Sequence, residues 1–175
     1  EEKPNYIILY GDTNSTLAGA IAASKLHILV VHVEAGLRSF NKKMPEEINR
    51  VTCDHLSTLL FSPTKTGFNN LVHEGFSPQN PAPFSPDNPG IFHCGDVMYD
   101  NSLYFSEVAA QKSTIIEDMD VEKNNYILAT LHRDNNTDDP ERLTSIIKSF
   151  IEIIEHENTE IILPLHPRTY NKLTE

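Results

Sequence analysis

Short apolar runs alternate along this chain with longer segments of helical periodicity, and this alternation constrains the fold more than any other sequence feature. The apolar runs, rich in β-branched and aromatic residues, predict strands at 6–10, 27–33, 59–61, 91–94, 126–131 and 161–165. The intervening segments predict helices at 16–26, 45–56, 66–74, 102–116 and 140–155, with a further helix from Pro167. Strands that alternate with helices form right-handed βαβ units, so the sequence predicts an α/β protein with doubly wound parallel sheets.

Composition excludes several other classes of protein. The 175 residues are 39% hydrophobic, enough for a sizeable core, and no apolar run approaches the ~18–20 residues of a membrane-spanning helix. With 14 Lys and Arg against 25 Asp and Glu, the formal net charge of −11 argues against non-specific nucleic-acid binding, which needs basic side chains. We therefore predict neither a membrane span nor a nucleic-acid partner, although a local basic spot still allows a phosphorylated ligand.

The cysteines and the first residues of the chain indicate a compartment. Cys53 and Cys94 are too few for a disulfide scaffold, and the opening Glu1-Glu2-Lys3-Pro4 lacks the basic and apolar segments of a signal peptide. We therefore predict reduced thiols and a cytoplasmic location. The sequence contains no metal-binding spacing, no G-x-G-x-x-G fingerprint and no P-loop, so we expect no metal ion and no cofactor.

A proline-rich segment divides the chain into two parts. Five of the 11 prolines fall between Phe76 and Gly90, which predicts a surface loop. We place a domain boundary after this loop, so that the predicted domains are 1–94 and 95–175.

Four polar side chains follow predicted strands directly or within two residues, at the edge where ligands bind in open α/β sheets. Asp12 follows the first strand, Glu34 the second, His132 the fifth and His166 the sixth. Structural explanations stay open here, since Asp12 is also typical of a helix cap and Glu46 favours the positive end of a helix. Glu34 is harder to explain in this way, because a carboxylate that ends an apolar strand needs a partner or a function.

Seven short motifs together carry a resemblance to a known family. They occur in one order and at compatible spacing, as Tyr10–Thr16, His32–Ser39, Pro45–Arg50, Phe61–Thr64, Gly95–Asp100, Thr130–Arg133 and Pro164–Pro167. With these motifs the chain resembles the non-hydrolysing UDP-N-acetylglucosamine 2-epimerases. The segments His-x-Glu-Ala-Gly-Leu-Arg and Pro-Glu-Glu-x-Asn-Arg are the most specific, and the resemblance spans nearly the whole chain.

The resemblance implies two Rossmann-like domains in the glycosyltransferase-B arrangement, with a UDP-sugar bound in the cleft between them. A complete member of that family is longer. We therefore expect this chain to hold the later part of the first domain and, from about Gly95, the start of the second, each incomplete, and to be inactive alone. The resemblance further implies that the full-length protein is a homodimer that serves cell-surface polysaccharide biosynthesis.

The chemistry of that family explains the residue types at the strand ends. UDP leaves by anti elimination across C1–C2, which gives 2-acetamidoglucal, and is then re-added with inversion at C2. Removing the C2 proton and delivering one to the opposite face needs two positioned acid/base groups. By resemblance, the catalytic positions are Asp12, Glu34, Glu46 and His132, and the substrate-binding positions are Arg38, Arg133 and His166. Which carboxylate carries which proton transfer stays open.

Three alternatives to UDP-N-acetylglucosamine epimerisation remain at this level. The motif Gly11–Ser15 also fits a sister 2-epimerase that acts on UDP-2,3-diacetamido-glucuronic acid. A hydrolysing relative, which releases free N-acetylmannosamine, fits less well. A non-catalytic Rossmann-like binding module is the third, and it predicts that Asp12→Asn and Glu46→Gln leave function intact.

Overall fold

The computed structural model describes residues 4–122, 125–131 and 134–174, which form two compact units within 1–107 and 108–175. The division between the units falls inside the helix Val97–Lys112. The sequence predicts a boundary between residues 94 and 95, just before this helix, and that boundary stays a prediction.

The first unit is a four-stranded parallel sheet whose strands are joined by helices. In chain order its elements are β1 (Tyr6–Tyr10), α1 (Asn14–Lys25), β2 (Leu29–Val33), α2 (Pro45–His55), β3 (Leu59–Ser62), α3 (Lys65–His73), β4 (Gly90–His93) and most of α4 (Val97–Lys112). Strand β1 has the predicted bounds. Strand β2 begins two residues later than predicted, because His27 adopts a left-handed φ of 59° in the turn after α1.

Local sequence signals set where the helices begin. The side chain of Thr13 accepts a hydrogen bond from the backbone N–H of Thr16, and α1 starts directly after this cap. Pro45 occupies the first position of α2, where its missing N–H costs nothing and its fixed φ suits a helix. Thr64 caps α3 through the N–H of Gly67. Each helix therefore begins close to the carboxyl end of the preceding strand.

The helices α1, α2 and α3 all pack on one face of this sheet. One core cluster on that face joins Ala20 and Ala23 of α1 to Val30 and Cys53, and a second joins Leu60 to α3 and β4. The described strands form one part of the predicted Rossmann-like sheet, in which these three helices cover a single face. Their spatial order β1-β2-β3-β4 follows the chain order, so every right-handed crossover places its helix on the same face.

The opposite face of the sheet is apolar and largely open within the described part of the chain. Tyr6, Ile8 and Tyr10 of β1 are more than half exposed there. Toward β4 the face is partly covered, because Phe84 from the proline-rich loop packs edge-on against Phe92. The proline-rich loop therefore covers this face near β4 and leaves it exposed near β1.

The second unit contains a two-stranded parallel sheet. The sheet consists of β5 (Tyr126–Leu128) and β6 (Glu160–Ile162). The helices that follow α4 are α5 (Ile115–Asp118), α6 (Asp134–Thr137), α7 (Pro140–Glu157) and α8 (Pro167–Thr174). Asp139 caps α7 by accepting hydrogen bonds from two backbone N–H groups, and Asn158 ends it in a left-handed conformation. Parallel sheets joined by helices in both units confirm the predicted α/β class.

Candidate functional site

Asp12 and Glu34 lie side by side at the carboxyl edge of the four-stranded sheet. Asp12 follows β1 and Glu34 follows β2, and these two strands are adjacent and parallel. The Glu34 Oε2 atom lies 3.5 Å from the position where a side chain on Gly11 would begin. A carboxylate from each strand end therefore reaches the same turn, as the spacing of the two residues in the sequence predicts.

The backbone that carries Glu34 is held in an unusual conformation. Glu34 has a φ of +73°, a left-handed value that costs an L-residue other than glycine about 1 kcal/mol or more. Two residues later Gly36 has a φ of +81°, and a Cβ atom there would lie 2.3 Å from the carbonyl oxygen of Gly67. Only glycine fits at that position. The half-buried Glu34 carboxylate forms no hydrogen bond with any described residue.

Helix α2 anchors the turn that carries Asp12. Arg50 Nη1 donates to Asp12 Oδ2 at 2.7 Å, and the amide of Asn49 donates to the Asp12 carbonyl oxygen at 2.8 Å. The Asp12 side chain is one third exposed and that of Arg50 is 15% exposed. The backbone and carboxylate of Asp12 are thus both fixed, while part of the carboxylate still faces solvent.

Two consecutive glutamates at the start of α2 have opposite environments. Glu46 is exposed, and its side chain makes no hydrogen bond or ion pair with the described residues. Glu47 is buried and accepts three hydrogen bonds from the loop before the helix, from Ser39 N, Ser39 Oγ and Phe40 N, at 2.8–3.0 Å. Asp12, Glu34 and Glu46 are called the edge carboxylates below, since each keeps access to solvent.

The contacts of Glu47 keep it ionised. Burial of this carboxylate by itself raises its pKa, but the hydrogen bonds from Ser39 and Phe40 and the positive charge of Arg50 outweigh that effect. The pKa of Glu47 is therefore lowered from its ordinary value of 4.5. This residue holds the loop between β2 and α2 in place.

Beside the turns that carry Asp12 and Glu34 lies a chain of charges, here called the buried charge network, which runs through the buried His32, Asp54 and Arg38 and ends at the exposed Glu74. Asp54 Oδ1 lies 2.6 Å from His32 Nδ1, and Asp54 Oδ2 lies 2.7 Å from Arg38 Nη1. Arg38 in turn forms two parallel hydrogen bonds of 2.7 Å to the Glu74 carboxylate. The side chains of His32 and Asp54 are fully buried and that of Arg38 is 1% exposed.

Both ring nitrogens of His32 face acceptors, which indicates the doubly protonated imidazolium. Nδ1 donates to the Asp54 carboxylate, and Nε2 lies 2.9 Å from the carbonyl oxygen of Gly11. Burial by itself lowers the pKa of His32, but the contacts with Asp54, and with Cys53 beside it, outweigh burial and raise the pKa from 6.5 to about 10. His32 therefore carries a positive charge at neutral pH.

Arg38 is predicted to bind substrate, but its guanidinium is paired within the buried charge network. The carboxylates of Asp54 and Glu74 and the carbonyl oxygen of Leu37 accept from it. Burial opposes the charge of Arg38, and the paired carboxylates restore it by raising its pKa. The geometry favours a structural role for Arg38, and substrate binding by this residue stays a prediction.

The other three predicted site residues belong to the sequence range 108–175. His132 and Arg133 fall outside the described residues. His166 is exposed and precedes α8, where its carbonyl oxygen accepts from the N–H groups of Thr169 and Tyr170. The predicted roles of these three residues stay predictions.

A cavity of about 180 Å³ opens at the carboxyl edge of the first unit, beside Glu34. Its lining combines aromatic rings with acidic groups, namely Tyr10, Phe61, Glu34, Asp96 and Asp100. Apolar walls with a few carboxylates are typical of small-molecule sites. The cavity and the edge carboxylates therefore occupy the same end of the sheet.

A metal centre and a membrane-spanning helix are the two other features to consider in the described residues. Within 4–122, 125–131 and 134–174, no group of three His, Cys, Asp or Glu side chains is arranged to hold a metal ion. None of the helices that the structure describes combines the length and the hydropathy that crossing a bilayer requires.

The sequence analysis did not single out the residues that hold the edge carboxylates. Glu47, Arg50 and Asp54 lie three and four residues apart, which places them on one face of α2. At that spacing the polar residues occupy positions that an amphipathic helix buries. A polar side of α2 that faces the protein is therefore predictable from the sequence. His32 opens one of the two most specific motifs, but its position inside an apolar strand does not by itself predict a buried ion pair.

Comparisons with known proteins show the family to which the chain belongs. The family model described as UDP-N-acetylglucosamine 2-epimerase matches residues 1–175. A Methanococcus maripaludis protein named UDP-N-acetylglucosamine 2-epimerase homolog is 51% identical over 97% of this chain and 43% of its own length. A Pseudomonas aeruginosa protein named UDP-2,3-diacetamido-2,3-dideoxy-D-glucuronate 2-epimerase is 48% identical over 97% of this chain and 44% of its own.

A solved structure gives the same result for the fold. The crystal structure of Methanocaldococcus jannaschii UDP-GlcNAc 2-epimerase in complex with UDP-GlcNAc and UDP is 43% identical, with a TM-score of 0.78, and covers 99% of this chain and 45% of that one. The chain thus spans less than half the length of the relatives it matches. Because the family model matches along its entire length, the chain belongs to the UDP-N-acetylglucosamine 2-epimerase family.

Proposed function

We propose that the whole protein carrying this sequence is a UDP-N-acetylglucosamine 2-epimerase, which interconverts UDP-N-acetylglucosamine and UDP-N-acetylmannosamine. The observation that carries the proposal is the pair of carboxylates Asp12 and Glu34 at adjacent strand ends, both reaching one turn beside a cavity. The strained backbone of Glu34 supports it, because such strain is retained chiefly where a side chain has a function.

The reaction needs acid/base groups on both faces of the sugar carbon C2. The base takes the C2 proton while the C1–O bond to UDP breaks, which leaves 2-acetamidoglucal and free UDP. Re-addition of UDP at C1 and of a proton at C2 from the opposite face completes the inversion. The edge carboxylates supply three candidates for these steps, and Arg50 holds the Asp12 carboxylate in place through a hydrogen bond of 2.7 Å.

Glu46 fits a role in substrate contact better than its neighbour. The Glu46 carboxylate is exposed and makes no hydrogen bond or ion pair with the described residues. The Glu47 carboxylate instead accepts hydrogen bonds from the loop before α2. We assign proton transfer and oxocarbenium stabilisation to the edge carboxylates jointly. His132 is assigned to acid catalysis or the diphosphate, and Arg133 and His166 to binding of the UDP-sugar.

The test is an assay of the whole protein with UDP-N-acetylglucosamine in deuterated water. We expect turnover to UDP-N-acetylmannosamine, with deuterium at C2 of recovered substrate and product. Asp12→Asn, Glu34→Gln and Glu46→Gln should each lower kcat by about 10²-fold or more. The matched control Glu107→Gln changes an exposed glutamate outside this edge and should leave kcat unchanged.

Absence of turnover in the wild-type protein, together with UDP-sugar binding that is unchanged in all three edge variants, would favour the non-catalytic binding module instead. The 175-residue chain alone should neither turn over a UDP-sugar nor bind UDP tightly, and calorimetry that detects micromolar binding would contradict this expectation.

A second candidate substrate is UDP-2,3-diacetamido-glucuronate. The 48% identity to the Pseudomonas aeruginosa protein exceeds the 44% identity to the Methanocaldococcus jannaschii protein named UDP-N-acetylglucosamine 2-epimerase. Both substrates undergo the same chemistry at C2, so the edge carboxylates do not distinguish them. The ratio of kcat/KM for the two UDP-sugars decides between the candidates.

Two finer properties are proposed with the function, namely a homodimeric state and a cytoplasmic location. The free thiols of Cys53 and Cys94 suit a reducing compartment. Sedimentation of the whole protein at micromolar concentration should give twice the monomer mass.

A further inference from the structure

The fully buried carboxylate of Asp54 contacts strand β2 and the turn that follows it. Oδ1 accepts from His32 Nδ1 at 2.6 Å, and Oδ2 accepts from the backbone N–H of Gly36 at 3.0 Å. Through the other nitrogen of His32, the first contact continues to the carbonyl oxygen of Gly11 at 2.9 Å. One side chain on α2 therefore connects to the turn after β1 and to the turn after β2.

These two turns carry the proposed proton-transfer groups. Gly11 precedes Asp12 in the chain, and Gly36 lies two residues after Glu34. Gly11, Glu34 and Gly36 all have left-handed φ values, of 65°, 73° and 81°, so both turns need external contacts to stay in one conformation. Asp54 supplies a contact to the turn after β2 directly and to the turn after β1 through His32, and both side chains are fully buried.

We propose that Asp54 is a positioning residue for Asp12 and Glu34, acting on Asp12 through the ring of His32 and on Glu34 through the N–H of Gly36. The arrangement resists distortion because each member has a charged partner. Arg38 neutralises the second oxygen of Asp54, and Gly11 offers only an acceptor to His32. A displacement of about 1 Å in either carboxylate is enough to lower the rate about 10²-fold.

The inference rests on the proposed function, since positioning has a kinetic meaning only if the edge carboxylates transfer protons. It also makes a claim about geometry that needs no turnover. At neutral pH both nitrogens of His32 carry protons, and the N–H of Gly36 is protected from exchange by Asp54. The experiment therefore has two arms, one that tests the geometry and one that tests the kinetics.

The first arm is nuclear magnetic resonance of the whole protein labelled at histidine and in the backbone. We expect one imidazolium with a proton on each nitrogen, assigned to His32 by its loss in His32→Gln, and a slowly exchanging Gly36 amide. In Asp54→Ala both signatures should disappear. A neutral His32 ring in the wild type, or Gly36 exchange unaltered in Asp54→Ala, would overturn the proposal whether or not the protein is an epimerase.

The second arm is kinetics of the whole protein, with rates expressed per folded molecule by circular dichroism. Asp54→Ala should lower kcat about 10²-fold with little change in KM, because ground-state binding does not depend on these turns. In an Asp12→Asn background the same change should cost much less, since the group it positions is already lost. An equal loss in both backgrounds would indicate general damage and refute positioning.

Asp54→Asn keeps the arm informative where Asp54→Ala folds poorly. The asparagine amide N–H can donate to Nδ1 of a neutral His32, whose Nε2–H still reaches Gly11, while its oxygen accepts from Gly36. We expect loss of the imidazolium signature, retained protection of Gly36, and a smaller loss of kcat than in Asp54→Ala. A loss of kcat as large as that of Asp54→Ala would show that hydrogen-bonded positioning is not the cause.

Discussion

The edge carboxylates and the buried charge network lie beside each other at the same end of a sheet, yet they differ in how their charges are satisfied. Among the described residues, Glu34 and Glu46 have no partner and Asp12 has one cation. In the buried network every charge has at least one partner of opposite sign within 2.7 Å. The edge carboxylates keep free lone pairs for a ligand, and the buried charge network keeps the turns of Asp12 and Glu34 in place.

The difference follows from the cost of burying charge. An ion removed from water needs several kcal/mol of compensation, which only close and hydrogen-bonded partners provide. A half-exposed carboxylate needs none, because solvent supplies the compensation and a substrate can later replace it. The buried charges are used up in ion pairs with one another. The carboxylates at the strand ends are compensated by solvent, so a substrate can replace that solvent and react with them.

The largest effect that separates the two groups is expected for Asp54→Ala. This change leaves the buried His32 ring beside a cavity without its carboxylate partner and removes one partner of the buried Arg38, so the free energy of unfolding should fall by about 3–5 kcal/mol. The matched control Asp87→Ala removes an exposed aspartate and should change it by less than about 0.5 kcal/mol. Urea unfolding measures both, and a loss below about 1 kcal/mol for Asp54→Ala would break the comparison.

A pH-dependent effect is expected for His32. Its pKa is about 10 in the folded chain against 6.5 ordinarily, so the folded state holds its proton more tightly and the stabilisation is complete below pH 6.5. As pH rises from 6.5 towards 10 that stabilisation is lost, by up to about 1.4 kcal/mol per pH unit.

The measurement is the free energy of unfolding across this range in the wild type, His32→Gln and His73→Gln. Other groups that titrate in the range are common to the wild type and His32→Gln, so the difference in slope reports His32. His73 is exposed, and its variant should keep the wild-type slope. Equal slopes in the wild type and His32→Gln would contradict a buried imidazolium.

The smallest of the three effects compares Glu47→Gln with Glu46→Gln. Glu47→Gln weakens charge-assisted hydrogen bonds to Ser39 and Phe40 and should cost about 1–3 kcal/mol of stability, against less than about 0.5 kcal/mol for Glu46→Gln. Because the pKa of Glu47 is lowered in the folded chain, its contribution is present above pH 4.5 and lost as pH falls through the lower folded value.

Denaturant titrations at pH 7 and at pH 3 test this pair. The gap in stability between the wild type and Glu47→Gln should be wide at pH 7 and narrow at pH 3. If Glu46→Gln is the more destabilising of the two at pH 7, the assignment of buried and exposed roles in α2 is reversed.

Much of the first unit is predictable from the sequence, because its signals are local. Strand β1 has its predicted bounds, and Thr13 and Pro45 mark helix starts through capping and a fixed φ. The winding of the sheet was not predictable in this way. Whether helices cover one face or both depends on the spatial order of the strands, which no local pattern encodes.

The sequence by itself determined the α/β class, the family, and the placement of Asp12 and Glu34 at strand ends, because side-chain period and strand polarity fix which residues reach that edge. Only the tertiary structure decided that Glu46 is exposed and Glu47 buried, and that Asp54 joins His32 to Arg38. Adjacent residues on a helix point in different directions, and residues 16 to 22 positions apart meet only when the sheet and α2 pack. A charge thus becomes a partner or a reactive group according to what packs against it.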